Sequence, residues 1–217
     1  MIDEIENITT EHKELLSKGM MLPIMEEFYS IQGEGANTGK PAYFIRVGGC
    51  DVGCHWCDVK ESWNPNLHPL TDIEQIVTNI QKHPAQSIVI TGGEPLIYKL
   101  DYLTNKLANI GVEVFLETSG AHPLSGVWHW ICLSPKKNLP PLQDVYERAD
   151  ELKVIIFNKD DIKWAENHAA KVGENCKLYM QPEWSNKDKM MPIIIDYIME
   201  NPKWNMSLQT HKYMQIP

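Results

Sequence analysis

Cys50, Cys54 and Cys57 put three thiols into the eight residues CDVGCHWC, spaced Cys-x-x-x-Cys-x-x-Cys. The chain has five cysteines in all. Core packing does not produce that density, because a free cysteine in a core is simply a small apolar residue. Thiolates are soft donors that suit zinc, copper(I) or iron–sulfur clusters. A structural zinc closes its tetrahedron with four ligands, whereas a site that does chemistry keeps a position open. His55 is a fourth donor by type, but between Cys54 and Cys57 it is cramped for wrapping a single ion. Three thiolates with one open corner point to a 4Fe-4S cluster with one iron left free, and a closed zinc site is the competing reading.

Two further segments carry chemistry. In SIQGEGANTGKPAYFIRVGGC, Arg46 stands near the end of a short apolar run. A guanidinium near a reactive centre can bind a carboxylate through two parallel N–H bonds, and its plainer use is an ion pair with Glu26, Glu27 or Glu34. In SIVITGGEPL, Gly92 and Gly93 remove side chains where a ligand can approach the backbone, and Glu94 adds a carboxylate. A β-turn would explain those glycines as well, but the cysteine loop upstream makes the coincidence specific. Cys132 and Cys176 read as core residues, as do Trp128, Trp130 and Trp164.

The bulk properties narrow the class. At 217 residues, 43% hydrophobic and 23% charged, the chain suits one soluble domain. No apolar run approaches the roughly 20 residues that cross a bilayer. The opening MIDEIENITTEHKELLSKG is acidic and polar, unlike a signal or transit peptide. An odd cysteine count with three clustered is no disulfide framework, so a reducing cytoplasm is the expected setting. The net charge of −9 disfavours a nucleic-acid surface, leaving a small-molecule substrate.

The elements that hold these residues follow from periodicity. A helix is expected over residues 2–18, closed by Gly19, as an N-terminal extension (1–20) outside a single domain (21–217). Strands are expected at Ala42–Val47, Ser87–Thr91, Val112–Glu117, Trp128–Leu133, Leu152–Phe157, Lys177–Met180 and Asn205–Gln209. Helices are expected from Thr71, whose capping box uses Glu74, and at Leu103–Ile110, Asp160–Val172 and Asp188–Glu200. Alternation of this kind predicts an α/β fold with a mostly parallel sheet, an incomplete barrel of about six strands. Thr91, Glu94, Glu117, Thr118, Ser119, Ser134, Lys136 and Gln181 gather at the carboxyl ends of strands, where such barrels place their sites.

In order, SIQGEG, FIRVGGC, CDVGCHWCD, TGGEPL, ETSG, SPK, LKVI, QP and the terminal LQTHKYMQIP resemble the 7-carboxy-7-deazaguanine synthases. That family of small radical S-adenosylmethionine enzymes serves queuosine-type deazapurine biosynthesis, and the resemblance covers about residues 23–217. It implies an incomplete six-stranded barrel in a homodimer, served by an electron donor such as a flavodoxin-type protein. It implies that Cys50, Cys54 and Cys57 hold a 4Fe-4S cluster. S-adenosylmethionine would be lined by Trp56, Cys57, Asp58, Gly93, Glu94, Ser134, Pro135, Lys136, Gln181, Pro182, Glu183 and Trp184. The substrate, 6-carboxy-5,6,7,8-tetrahydropterin, would meet Ile31, Gln32, Gly33, Glu34, Arg46, Thr91 and the terminal Pro217. The implied reaction abstracts hydrogen from the pterin carbon that bears the carboxylate, contracts the ring and releases ammonia.

One position departs from the family pattern. A threonine or serine hydroxyl that helps hold magnesium is replaced by Val59, and Lys60 is a candidate to neutralise the substrate carboxylate instead. A glycyl-radical activase shares the cysteine spacing, but it has no use for the LQTHKYMQIP ending. A zinc-stabilised binding module is the non-enzyme alternative.

Overall fold

A computed structural model describes residues 5, 6 and 8–217. The first helix, α1 (Thr10–Ser17), starts where the Thr9 hydroxyl accepts the His12 N–H at 3.1 Å, later than the expected residue 2. Residues 2–4 and 7 of that expected helix lie outside the described residues. Leu16 is fully buried in the same core as the sheet.

The sheet begins with β1 (Met21–Ile31), antiparallel to β2 (Pro41–Val47), and with β3 (Leu70–Asp72), antiparallel to β1. Two 3-10 turns, Lys60–Ser62 and Pro65–Leu67, occupy the stretch between β2 and β3. Helix α2 (Ile73–Ile80) is capped by Asp72, which accepts the Glu74 N–H at 2.7 Å. Thr71 is therefore a strand residue rather than the cap. Then come β4 (Ser87–Gly92), α3 (Asp101–Asn109), β5 (Glu113–Thr118) and β6 (Trp130–Leu133), the last starting two residues later than expected. Helix α4 (Gln143–Arg148) and β7 (Glu151–Ile156) follow, and α5 (Asp160–Ala169) ends short of the expected Val172. The chain closes with β8 (Lys177–Pro182), α6 (Lys187–Glu200), β9 (Trp204–Met206) and α7 (Thr210–Met214). The expected strand Asn205–Gln209 is thus shorter, and a helix takes over from Thr210.

The spatial order is β3-β1-β2-β4-β5-β6-β7-β8-β9. From β2 to β9 the neighbours are parallel, so the partial barrel stays open between two edges. Seven strands make up that parallel set, each overlapping a strand expected from the sequence, and the three-residue β9 is a short last member beside the six longer ones of the incomplete barrel. Among the described residues no helix is long and apolar enough to cross a membrane.

Strand alternation sends side chains to two faces. Tyr43, Ile45, Ile88, Ile90, Val114 and Leu116 bury outward against Ile76 and Ile80 of α2 and Leu103 and Leu107 of α3. A second outer core joins Leu152, Val154 and Met180 with Ala165 of α5 and Ile194 of α6. Each buried aliphatic side chain contributes about 1.5–3 kcal/mol, so these two layers drive the assembly. Inward, Phe44 pairs with Val89, Val89 with Phe115 and Phe115 with Trp130, giving an apolar floor. Two residues further along the same strands stand Arg46, Thr91 and Glu117, on the same face.

At the end of β4, Gly92 has φ +140°, and a Cβ there would sit 2.2 Å from the Val47 carbonyl oxygen. Gly92→Ala is expected to cost at least about 1–3 kcal/mol from backbone strain alone. Gly173→Ala, with nothing within 4 Å of its Cβ, is expected to change stability by less than about 0.5 kcal/mol. Urea unfolding of the two variants checks this, and equal midpoints would contradict it.

Candidate active site

The carboxyl ends of the parallel strands open into a cavity of about 290 Å³. Every residue singled out from the sequence as a cluster, cofactor, substrate or magnesium position lines it, except Pro135 and Lys60. Its floor is the apolar set Phe28, Phe44 and Val89, and its walls are polar.

The cluster loop leaves β2 through Gly48 and Gly49 and is tied down by its own backbone and by two other loops. Cys50 N–H donates to the Trp63 carbonyl at 3.1 Å, and Cys57 N–H to the Cys54 carbonyl at 3.1 Å. Asn138, just past the SPK segment, donates to the carbonyls of Val52 at 3.0 Å and Gly53 at 2.8 Å. His122 lies 3.0 Å from Asp51. Burial raises the Cys50 thiol to about 11 and also raises Cys54, so a bound metal would have to supply the charge that deprotonates them.

The three thiols are free, half-buried and share one wall of the cavity. Among the described residues no three His, Cys, Asp or Glu side chains converge on a point that could hold a single ion. His55 does not line the cavity; its ring lies edge-on to Phe157, 5.2 Å between centroids. That arrangement does not fit a closed mononuclear zinc. It fits a polynuclear cluster, whose separate irons each take one thiolate.

Gly92 and Gly93 line the cavity and are also bare for a packing reason. A Cβ on Gly93 would stand 2.1 Å from the Gly49 carbonyl oxygen and 2.9 Å from Cys50 Cβ. The two glycines let the GGEP segment pack directly on the turn that launches the cluster loop. Glu94, 1% exposed, accepts from Thr118 Oγ1 at 2.6 Å, Ser119 N–H at 2.8 Å, Ser119 Oγ at 2.5 Å and Leu96 N–H at 3.1 Å. It therefore joins GGEP to ETSG as well as facing the cavity.

The polar wall centres on Lys153 of β7, whose Nζ lies 2.7 Å from Glu34 and 2.8 Å from Glu117. Burial alone would raise Glu34, but the Lys153 ammonium and the Gln209 amide bring it down to about 2. Burial likewise opposes the charge on Lys153, yet its neighbours hold it well above the ordinary lysine value. Cys132 as a thiolate would act most strongly among them, but burial keeps it a neutral thiol, so the carboxylates supply the field near neutral pH. Arg46 lines the cavity and also donates from Nε to Glu26 at 2.6 Å, so the site and ion-pair readings coexist. Lys136 is pushed below the ordinary lysine value by burial; it donates to Ser134 and lies 5.8 Å from the Trp56 ring centroid. Lys60 does not reach the cavity and lies 5.9 Å from the Trp63 ring centroid instead.

The C-terminal segment covers one side. Thr210 N–H donates to Gly33 O at 2.9 Å, and Lys212 pairs with Asp58 at 2.6 Å. Pro217 lines the cavity, its carbonyl oxygen 3.2 Å from Ser30 Oγ. Lys153, Gln209, His211 and Ser62 also line it and were not singled out as site residues from the sequence. The signal for Lys153 was a charged residue alternating inward on a buried strand, beside Glu151 with the same parity.

The profile of the Radical SAM superfamily matches residues 44–133. The chain is 59% identical over 210 residues to the 7-carboxy-7-deazaguanine synthase of Flavobacterium psychrophilum, covering 97% of this chain and 100% of that one. A relative of the same name from Synechocystis is 46% identical, over 89% of this chain and 93% of its own. The crystal structure of QueE from Escherichia coli superposes with a TM-score of 0.81 at 31% identity, covering 93% of this chain and 99% of that one. With its cysteine loop, its partial barrel and relatives matched along their whole length, this chain belongs to the 7-carboxy-7-deazaguanine synthase family of radical S-adenosylmethionine enzymes.

Proposed function

We propose that the chain converts 6-carboxy-5,6,7,8-tetrahydropterin to 7-carboxy-7-deazaguanine with loss of ammonia. The observation that carries this is the meeting, in one cavity, of three cysteines with a carboxylate-binding cation, Arg46, and acceptors for ring N–H groups, Glu34 and Glu117. Cys50, Cys54 and Cys57 would hold the 4Fe-4S cluster. When bound, the cluster and S-adenosylmethionine supply a radical able to abstract a hydrogen atom.

The chain's own residues bind, orient and shield. Trp56, Asp58, Gly93, Glu94, Ser134, Lys136 and Gln181 to Trp184 form the side of the cavity assigned to S-adenosylmethionine. Ile31 to Glu34, Arg46, Thr91 and Pro217 form the side assigned to the pterin. The aromatic and aliphatic floor excludes water, and the polar walls fix both ligands so that a reactive carbon radical would meet the substrate C–H bond first. The family resemblance also supports a homodimer, a flavodoxin-type electron donor and a cytoplasmic setting.

Magnesium is the exception. The ion needs near-octahedral oxygen ligands at about 2.0–2.1 Å. Val59 presents no side-chain oxygen, and its carbonyl already accepts from Ser62 Oγ at 2.7 Å and Ser62 N–H at 3.1 Å. A magnesium ion at this position would therefore rely on water in place of a protein hydroxyl.

Three outcomes check these assignments. Reconstituted anaerobically with reductant, S-adenosylmethionine and the carboxytetrahydropterin, the wild type is expected to yield the deazaguanine acid by mass spectrometry. Cys54→Ala is expected to lose both iron and product, while Cys132→Ala keeps both. A fully loaded but inactive wild type, or an active Cys54→Ala, would overturn the reading. A C-terminal affinity tag, placed next to a residue that lines the cavity, is expected to reduce turnover far more than an N-terminal one. Equal activity of the two would take Pro217 out of the site. After chelation, wild-type turnover is expected to respond weakly to added magnesium and Val59→Thr more strongly; full dependence in the wild type would refute the role given to Val59.

A further inference from the structure

Lys153 lines the cavity but lies deeper in its polar wall than the two carboxylates it pairs with. Its side chain is 5% exposed, whereas its two partners, Glu34 and Glu117, are 19% and 21% exposed and line the cavity. Those partners come from separate elements, Glu34 from the loop after β1 and Glu117 from the end of β5. The remaining oxygen of each is steadied separately. Glu34 Oε1 accepts from Gln209 Nε2 at 2.9 Å, and Glu117 Oε1 faces Gln32 Nε2 at 3.5 Å. Glu151, also on β7, does not compete for this position. Its Oε2 accepts from Ala36 N–H and Trp130 Nε1, and it does not line the cavity.

A lysine that served stability alone would be matched by one sealed carboxylate. Two half-open carboxylates turned toward a cavity, with one ammonium fixed behind both, form a template of ionised acceptors. Without the ammonium, two adjacent carboxylates repel, and one takes up a proton and becomes a donor. Such a donor would oppose an N–H group that the charged form would accept.

We propose that Lys153 is a positioning residue, holding Glu34 and Glu117 as a fixed pair of charged acceptors for the ring and amino N–H groups of the substrate. This rests on the reduced-pterin reading of the site and assigns recognition of the nitrogen-rich edge to that pair, leaving Arg46 for the carboxylate.

The test compares Lys153→Met, Lys153→Arg and Glu117→Gln in the reconstituted holoenzyme, reading KM and kcat for the carboxytetrahydropterin, the Kd for S-adenosylmethionine, and thermal melting. Lys153→Met is expected to raise KM by about tenfold or more, the scale of one hydrogen bond to a charged group, with S-adenosylmethionine affinity changed less than about twofold. Lys153→Arg, which keeps the charge, is expected to recover most of that loss. Glu117→Gln combined with Lys153→Met is expected to cost less than the sum of the two, because both remove the same pair. A folded Lys153→Met with wild-type KM would overturn the proposal. So would Lys153→Arg losing as much KM as Lys153→Met, or strict additivity of the double variant. Should Lys153→Met fail to fold, Lys153→Arg and Glu117→Gln decide: retention of wild-type KM in Glu117→Gln overturns it. Wild-type turnover measured alongside separates the two readings, since failure of the pterin assignment leaves the wild type itself inactive.

Discussion

The site depends on a seam where two stretches of bare backbone touch. Val47 and Gly49 offer their carbonyls to the N–H groups of Gly93 and Glu94, at 3.0 and 2.9 Å. Any side chain on Gly92 or Gly93 would stand inside that contact. The seam continues the parallel pairing of β2 with β4 past the last sheet residue, so the turn into the cluster loop is held as firmly as a strand. Tyr98 Oη locks it from behind by donating to Gly48 O at 2.7 Å. Glu94, placed by the seam, then reaches across to Thr118 and Ser119. Three motifs that are far apart in the chain thus become one hydrogen-bonded unit, and Cys50 inherits its position from it.

Charge in the cavity obeys a second constraint. The chain carries a net charge of −9, yet Arg46, Lys136 and Lys153 all line the cavity. Removing an ion from water costs several kcal/mol, and unpaired buried charges do not persist. Lys153 meets that cost with two carboxylates, and Arg46 shares Glu26 at the rim. Lys136 donates to the Ser134 carbonyl and hydroxyl and lies 5.8 Å from the Trp56 ring centroid, and burial weakens its hold on its proton. An anionic group arriving beside Lys136 would remove that penalty. The cavity therefore favours ligands that carry carboxylates to one side and N–H donors to the other.

Much of this was legible in the chain because it is local. Runs such as SIVIT and VFLE announce buried strands, CDVGCHWC marks a soft-metal site by its spacing, and TGGEPL gains its meaning from following that loop. What escaped is what depends on distant partners. The strand MLPIMEEFYSI is interrupted by Pro23 and by an irregular register between Ile24 and Glu26, so its alternation is broken. Helix α4 has six residues, too few for a periodic face. Asp72 displaced Thr71 as the cap because β3 pairs through Thr71 with Leu22, a contact that lies outside the local pattern. The glycines of TGGEP were visible, but their reason was not, since it lies in the backbone of Gly49. Lys153 looked like one polar residue in a strand until Glu34 and Glu117 were brought to it.

The last residues of the chain complete the enclosure. Gln209 donates to Glu34 at 2.9 Å and to Asp58 at 3.2 Å, and Lys212 holds Asp58 at 2.6 Å. One short segment thereby bridges the loop after β1 and the residue that follows Cys57. Trp184 joins it, with Tyr213 at 5.4 Å and Lys212 at 4.8 Å from its ring. A segment outside the sheet is held only as well as its own contacts hold it. Here polar and aromatic contacts fix it at a wall that the barrel leaves open between its edge strands. An incomplete barrel has room for two ligands but cannot close over them with strands alone. Folding the terminus back as a short helix closes the gap without adding a βα unit. It also makes the geometry beside the cluster loop depend on the final residues being docked.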